Sequence, residues 1–68
     1  MDKKNLTTEE TFSLAVQNQQ KNNLQVAENL YKEILKTNPN HANTCNNLGL
    51  VFHELGEPQK AISYCEKA

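Results

Sequence analysis

Two cysteines and two histidines are the side chains in this sequence best suited to metal binding or nucleophilic chemistry. They are Cys45, Cys65, His41 and His53. His41 and Cys45 are four residues apart, so on a helix they would share a face, as two zinc ligands can. His53 would lie about two turns further along, beyond the reach of the same ion. We therefore predict no metal centre and no cofactor.

The two thiols fit packing better than catalysis. Cys45 and Cys65 occupy core-type positions on neighbouring predicted helices, and neither has the basic, polar surroundings that activate a thiol. We expect two small packed thiols, with a disulfide in an oxidised sample as the alternative. Ser13 and Ser63 lie inside predicted helices, and the sequence contains neither a glycine-rich phosphate loop nor any Asp after Asp2. The chain is predicted not to be an enzyme.

The charge balance argues against nucleic-acid binding. Seven Lys and eight acidic residues give a net charge of −1, and there is no Arg to contact phosphate or guanine in a bidentate manner. Residues 1–10 lack the apolar run of a signal peptide, and no stretch approaches the roughly 20 apolar residues that cross a bilayer. Cysteines without an export signal favour a reducing compartment, so we predict a cytoplasmic protein. Ten Asn and seven Lys without Arg suit an AT-rich genome, which makes a bacterial source our hypothesis.

The elements that would position these residues are helices. Thr7 and Glu10 have the spacing of a capping box, which begins a helix. Asn22-Asn23 and Gly56 tolerate the left-handed backbone of a turn, and Asn38-Pro39-Asn40 would stop one helix and cap the next. A period of 3.6 residues dominates, and no segment alternates as a strand would. The sequence predicts an all-α fold with helices near 8–21, 24–37, 41–55 and 58–68.

The chain contains an internal repeat of about 34 residues. Shifting the sequence by this length places small residues on small residues, core-sized residues on core-sized residues and turn residues on turn residues. Such agreement in one register predicts two copies of one helical hairpin in tandem. The aligned pairs are Leu14–Leu48, Ala15–Gly49, Asn22–Gly56, Leu24–Pro58, Ala27–Ala61, Tyr31–Cys65 and Ile34–Ala68.

The repeated small residues have a packing role. Antiparallel helices approach closely where one presents Gly or Ala and its neighbour presents a large apolar side chain. We expect the close approaches at Ala15, Ala27, Gly49 and Ala61. The space around them would be filled by Leu14, Tyr31, Leu48 and Phe52.

This pattern resembles the tetratricopeptide repeat, whose signature is Trp-x2-Leu-Gly-x2-Tyr, then Ala-x3-Phe, then Pro. Residues 45–52 (CNNLGLVF) are similar to its first helix, and residues 27–39 (AENLYKEILKTNP) are similar to its second helix and terminal proline. The resemblance implies an α-solenoid of antiparallel hairpins. The implied division is a tail at 1–7, a first repeat at 8–41 and an incomplete second repeat at 42–68.

The first helix departs from the family pattern. Thr11 and Asn18 stand where the family has large aromatic residues, and the best apolar face is instead Phe12, Ala15 and Val16, rotated slightly. We favour adaptation to the terminal position over a surface for another molecule.

The helix predicted at 41–55 carries a polar face opposite its packing residues. In tetratricopeptide arrays the first helix of each hairpin lines the concave groove, so the resemblance implies peptide binding here. Asn47, just before Leu48-Gly49, matches an Asn that holds the peptide backbone in the superhelices of O-linked N-acetylglucosamine transferases. An amide suits this role because it both donates and accepts hydrogen bonds. A solvated polar face of an Asn-rich chain is the competing interpretation. The candidate groove residues are Asn43, Asn46, Asn47, Leu50, His53 and Glu54.

Self-association is a second expectation. A chain of 68 residues is near the lower limit for one hydrophobic core, and two repeats are fewer than the three usually needed for stability. We expect a homodimer or a higher homo-oligomer, or else a continuation of the array in a longer protein. The candidate edge residues are Ile62, Tyr64, Cys65 and Ala68.

Two functions follow from the resemblance. The first is a protein-interaction or scaffolding module that binds a peptide or a helix. The second is the non-catalytic amino-terminal segment of a larger bacterial enzyme, such as a glycosyltransferase or a sulfotransferase. Arrays attached to such enzymes are similar to residues 30–35 and 38–41 of this chain. In both cases the segment binds and positions a partner.

Overall fold

The structure is a computed structural model that describes residues 6–65, with side chains described for residues 6–61. Within this range the chain forms only α-helices, which pack as two successive hairpins, and the predicted all-α fold is confirmed. Predicted and observed helix ends differ by one residue at most where they can be compared, and the stretch predicted as helix beyond residue 65 lies outside the described residues. The helices are α1 (Thr8–Gln20), α2 (Leu24–Thr37), α3 (Ala42–Glu54) and α4 (Pro58–Cys65).

The helix ends follow the predicted local chemistry. At the start of α1 the Thr7 hydroxyl accepts a hydrogen bond from the Glu10 amide at 3.0 Å, and the Glu10 carboxylate accepts one from the Thr7 amide at 3.0 Å. Asn22 and Gly56 end α1 and α3 in the left-handed conformation, with φ of 69° and 81°. The same turn geometry therefore closes both hairpins, as the repeat predicted.

The cap of α3 corrects one detail of the sequence interpretation. His41, and not Asn40, is the N-cap residue: its Nδ1 atom accepts a hydrogen bond from the Thr44 amide at 3.2 Å. The His41 amide itself donates to the Asn38 carbonyl at 3.1 Å, which extends the turn by one residue. The Phe12 ring lies 5.8 Å from the imidazole, so α1 supports this cap.

The core forms around the predicted small residues. Ala15 and Ala27 are fully buried, and a Cβ atom at Gly49 would lie 3.8 Å from the Cβ of Ala61, so α3 and α4 do approach closely there. The large side chains predicted around these points are fully buried in three of four cases, namely Tyr31, Leu48 and Phe52.

Leu14 is the exception, because 38% of it is exposed. Within the described residues α1 packs mainly against α2, and this leaves Leu14 only partly covered. Phe12 and Val16 pack against the core instead, together with the buried Ala15, as the rotated apolar face predicted.

None of the helices in the described part of the chain combines the length and the apolar character that crossing a bilayer requires.

Candidate interaction surface

The candidate groove residues of α3 lie on the side of the helix opposite its buried residues. Asn43, Asn46, His53 and Glu54 are exposed, and Asn47 is half-buried. Leu50 stands among them with 56% of its surface exposed, the largest value among the exposed large apolar residues of residues 6–61. We call this set of six residues the α3 outer face.

A cleft adjoins one margin of the α3 outer face. It is an open depression of about 340 Å³ between α1, the start of α2 and α3. Only Asn47 and Glu54 of the predicted groove residues reach it, and the other four lie on the outer surface of the helix. The residues lining it are Val16, Gln19, Gln20, Leu24, Asn47 and Glu54.

Sequence reasoning missed four of these lining residues. Gln20 could have been found, because the repeat shift that aligns the two hairpins places Gln20 on Glu54. The same shift places Gln19 on His53 and Val16 on Leu50, so these two could have been found as well. The contact of Gln19 with Tyr31 on α2 could not, because no spacing along α1 reveals it.

A hydrogen-bond chain beneath the cleft joins three helices. The hydroxyl of the buried Tyr31, on α2, donates to Oε1 of Gln19 on α1 at 2.6 Å. Nδ2 of Asn47, on α3, donates to the same hydroxyl oxygen at 3.2 Å. Tyr31 therefore fixes the orientation of one cleft residue from each hairpin. We call this chain of three residues the Tyr31 relay.

Burial also affects the ionisation of Tyr31. Burial raises the pKa of the Tyr31 phenol above its usual value of 10.0, and the hydrogen bond from Asn47 acts in the opposite, smaller sense because it stabilises the anion. The phenol is thus protonated at neutral pH and has one hydrogen to donate. The Phe12 ring, 5.9 Å away at an angle of 59°, covers one side of the phenol ring.

A second polar group is buried between the hairpins. Glu28 is only 5% exposed. Its carboxylate accepts a hydrogen bond from the Lys32 ammonium at 2.6 Å and another from the side-chain amide of Gln25 at 3.0 Å. The Lys32 ammonium also lies 6.0 Å from the centre of the Phe52 ring on α3. This group was missed from the sequence, although the four-residue spacing of Glu28 and Lys32 is the signal that would have indicated it. It bears on how the hairpins pack and does not face the cleft.

The residues first considered for chemistry are dispersed. His41 caps α3, the Cys45 thiol is buried and His53 is exposed. Among the residues that the structure describes, no three His, Cys, Asp or Glu side chains come together as metal ligands would. The Cys65 side chain lies outside the described residues.

The candidate self-association edge cannot be placed in the same way. The side chains of Ile62, Tyr64 and Cys65, and the whole of Ala68, lie outside the described part of the chain.

Comparison with known proteins gives one family. Residues 42–68 match the family model of the tetratricopeptide repeat. Searches of the curated proteins and of the solved structures each found no match. The match covers α3 and α4, the hairpin in which the sequence pattern is most complete.

Proposed function

From the premise that residues 42–68 form a tetratricopeptide repeat, we propose that the chain binds a peptide or helix of a partner protein through the α3 outer face and the adjoining cleft. Repeats of this family in general act as protein-interaction modules, and solenoids bind along their extended concave surfaces. The α3 outer face lies on the first helix of its hairpin, which is the position that such surfaces use.

The observation that carries the proposal is the exposed Leu50 within a polar face. Leu50 has Asn46 and Asn47 one helical turn before it and His53 and Glu54 one turn after it, so it offers a hydrophobic contact flanked by hydrogen-bonding groups. Fully burying an exposed leucine side chain contributes about 1.5–3 kcal/mol, and covering the exposed 56% of Leu50 would contribute roughly half of that to binding. The open cleft beside it leaves a bound group accessible to water, and this favours binding over catalysis.

The first hairpin supports the same proposal. We take residues 8–41 as a first repeat, because α1 and α2 have the turn geometry and the small buried residues of the second hairpin. The cleft then lies between two repeats, where a segment running across the array would contact both.

Self-association is part of the proposal. Helical repeats gain stability by packing against neighbouring repeats, so a second copy that packs against these two hairpins would add buried surface. Light scattering at high protein concentration should give a mass above the monomer value of 7.7 kDa. A folded monomer under those conditions would contradict this part.

The alternative function, a binding segment of a larger bacterial enzyme, is decided by the gene. A catalytic domain encoded downstream of residue 68 would favour it. Its absence would leave the free-standing interaction module.

Peptide selection tests the binding proposal directly. A display library of linear and helical peptides is selected on the wild-type chain, and the selected peptides are measured again on Leu50→Glu and Leu14→Glu. Both leucines are exposed, at 56% and 38%, but only Leu50 lies on the α3 outer face. We expect Leu50→Glu to weaken binding at least about tenfold and Leu14→Glu to leave it unchanged, with both variants folded by circular dichroism. Failure to select any peptide, or equal binding to all three proteins, would refute the proposal.

A further inference from the structure

The first turn of α3 depends on one nitrogen atom of His41. Nδ1 of this imidazole lies 3.2 Å from the amide nitrogen of Thr44 and 2.8 Å from the hydroxyl oxygen of Thr44. The Thr44 amide is one of the first N–H groups of the helix, which have no carbonyl partner within it. Thr44 is fully buried, so water cannot replace His41 as the acceptor. The amide is therefore satisfied only while Nδ1 has a free lone pair.

The two donors determine the protonation state of the ring in the structure. A backbone N–H can only donate, so Nδ1 must accept, and the neutral imidazole must carry its hydrogen on Nε2. The Thr44 hydroxyl then donates to the same nitrogen. Imidazoles take up a second proton in mildly acidic water, and both of their nitrogens are then donors. The hydroxyl can reverse its role and accept from the new Nδ1–H, but the amide cannot.

From this geometry we propose that His41 makes the first turn of α3 sensitive to pH. A proton from water adds to the lone pair of Nδ1, no covalent bond is broken, and the buried amide of Thr44 loses its acceptor. The turn must then open to let water reach that amide. The same turn carries Asn43 of the α3 outer face, so mild acid also loosens this part of the surface.

The described charged side chains near His41 do not compensate for protonation. The helix α3 has no acidic residue in its first turn, and an imidazolium there would face the positive end of the helix dipole. Within residues 6–61 no carboxylate forms an ion pair with His41. Glu10 bonds instead to the Thr7 amide, and Glu33 pairs with Lys36. The titratable or charged side chains at this end of α1, α2 and α3 are Glu9, Glu10, Glu33, Lys36 and Cys45.

The Phe12 ring acts in the opposite sense, but more weakly. Its centre lies 5.8 Å from that of the imidazole, and an aromatic ring attracts a cation at this distance. His41 is half-buried, and at such a site this attraction is smaller than the cost of a buried N–H without an acceptor. Protonation therefore weakens the cap.

The direction of the pH effect follows from the hydrogen bond. The unfolded chain takes up the proton without losing a contact, whereas the folded chain loses the cap of α3. The stability that the cap contributes is complete while the imidazole is neutral. It is lost as pH falls through the range in which the imidazole is protonated.

Hydrogen exchange of the Thr44 amide, followed by NMR, tests the inference, with the urea midpoint as a second measurement. His41→Asn keeps an oxygen that can cap the helix but does not titrate. His53→Asn makes the same change at the other histidine, which is exposed on the same helix. His41→Asp, whose carboxylate stays ionised above about pH 5, replaces His41→Asn if that variant is poorly folded. Each protein is measured without a partner at about pH 7.5 and about pH 5.5.

Between the two pH values we expect the protection of the Thr44 amide to fall about tenfold in wild type and in His53→Asn. In His41→Asn it should change by less than about twofold. The urea midpoint should fall in the same two proteins and stay nearly constant in His41→Asn. The fall at Thr44 should exceed that of amides in the middle of α2, because the first turn of α3 opens locally.

An equal fall in wild type and His41→Asn, or no fall in wild type, would overturn the inference. So would a fall at Thr44 no greater than that in α2, because acid would then destabilise the whole fold and not the cap. None of these results depends on peptide binding, so the inference and the proposed function are tested separately.

Discussion

The first helices of the two hairpins, α1 and α3, occupy equivalent places in the fold but reach different degrees of burial. Leu48 on α3 is fully buried, whereas its counterpart Leu14 on α1 is 38% exposed. The helix α3 packs against both α2 and α4, whereas α1 packs mainly against α2. A repeat residue is therefore buried according to its neighbouring helices and not according to its own identity.

We expect the largest difference in the free energy of unfolding between α1 and α3 when the two equivalent leucines are truncated. Leu48→Ala should lower the free energy of unfolding by about 2–5 kcal/mol, because it opens a cavity in a closed core. Leu14→Ala should cost less than about 1 kcal/mol, because its site is already open to water. Urea unfolding of both variants measures the difference, and equal losses would mean that α1 is as well covered as α3.

The aligned small residues sharpen the comparison at the α3–α4 contact. Gly49→Leu should destabilise the chain by about 1–3 kcal/mol through overpacking against Ala61. Gly49→Ala should instead stabilise it by up to about 1 kcal/mol, since a Cβ there would lie at an ordinary 3.8 Å from Ala61 and Ala is the better helix former. Thermal melts would show opposite shifts of Tm. A loss of stability in Gly49→Ala would mean that this contact is tighter than the structure indicates.

The two helices also begin with different caps, Thr7 for α1 and His41 for α3. Removing either cap should cost about 0.5–2 kcal/mol, and we expect the larger loss for His41→Ala, because the imidazole is half-buried against Phe12. His41→Asn should restore the hydrogen bond to the Thr44 amide but not the ring contact. Chemical denaturation of the three variants ranks them, and a greater loss in Thr7→Ala would reverse the ranking.

The smallest expected effect concerns the Tyr31 relay that links α1 to α3. The pKa of Tyr31 is raised in the folded chain, so above pH 10.0 the unfolded chain releases a proton that the folded chain still holds. Stability contributed by the protonated phenol is complete below this pH and declines as pH rises from there towards the raised pKa. Tyr31→Phe lacks this titration, so its free energy of unfolding should fall less steeply between about pH 9 and pH 11. Lysines and the other tyrosine titrate in both proteins, so their effect cancels in the comparison. If the free energy of unfolding falls in parallel with pH in wild type and Tyr31→Phe, Tyr31 does not cause the loss of stability.

Much of the fold could be predicted because its signals are local. The capping box at Thr7, the turn residues Asn22 and Gly56 and the repeated alanines each determine a feature within a few residues. Leu14 was predicted wrongly as a core residue because the repeat pattern assumes a neighbouring helix on each side. A pattern can specify which face is apolar but not whether another helix covers it.

The candidate site was predicted only in part. The α3 outer face follows from helical periodicity, and Asn47 from the family resemblance. The cleft needs Gln19 and Tyr31, which come together only because α1 and α2 pack side by side at a particular rotation. That rotation depends on the packing of the whole core, so it cannot be inferred from the spacing of residues in one sequence.

The buried thiol of Cys45 allows local opening of the fold to be measured by chemical labelling. With 8% of the residue exposed, a thiol reagent can react at an appreciable rate only when α3 separates from its neighbours. In a Cys65→Ser background the labelling rate of Cys45 would therefore report how often α3 separates transiently from the helices packed against it. A bound peptide that ties α1 to α3 would slow that rate, with no probe added to the protein.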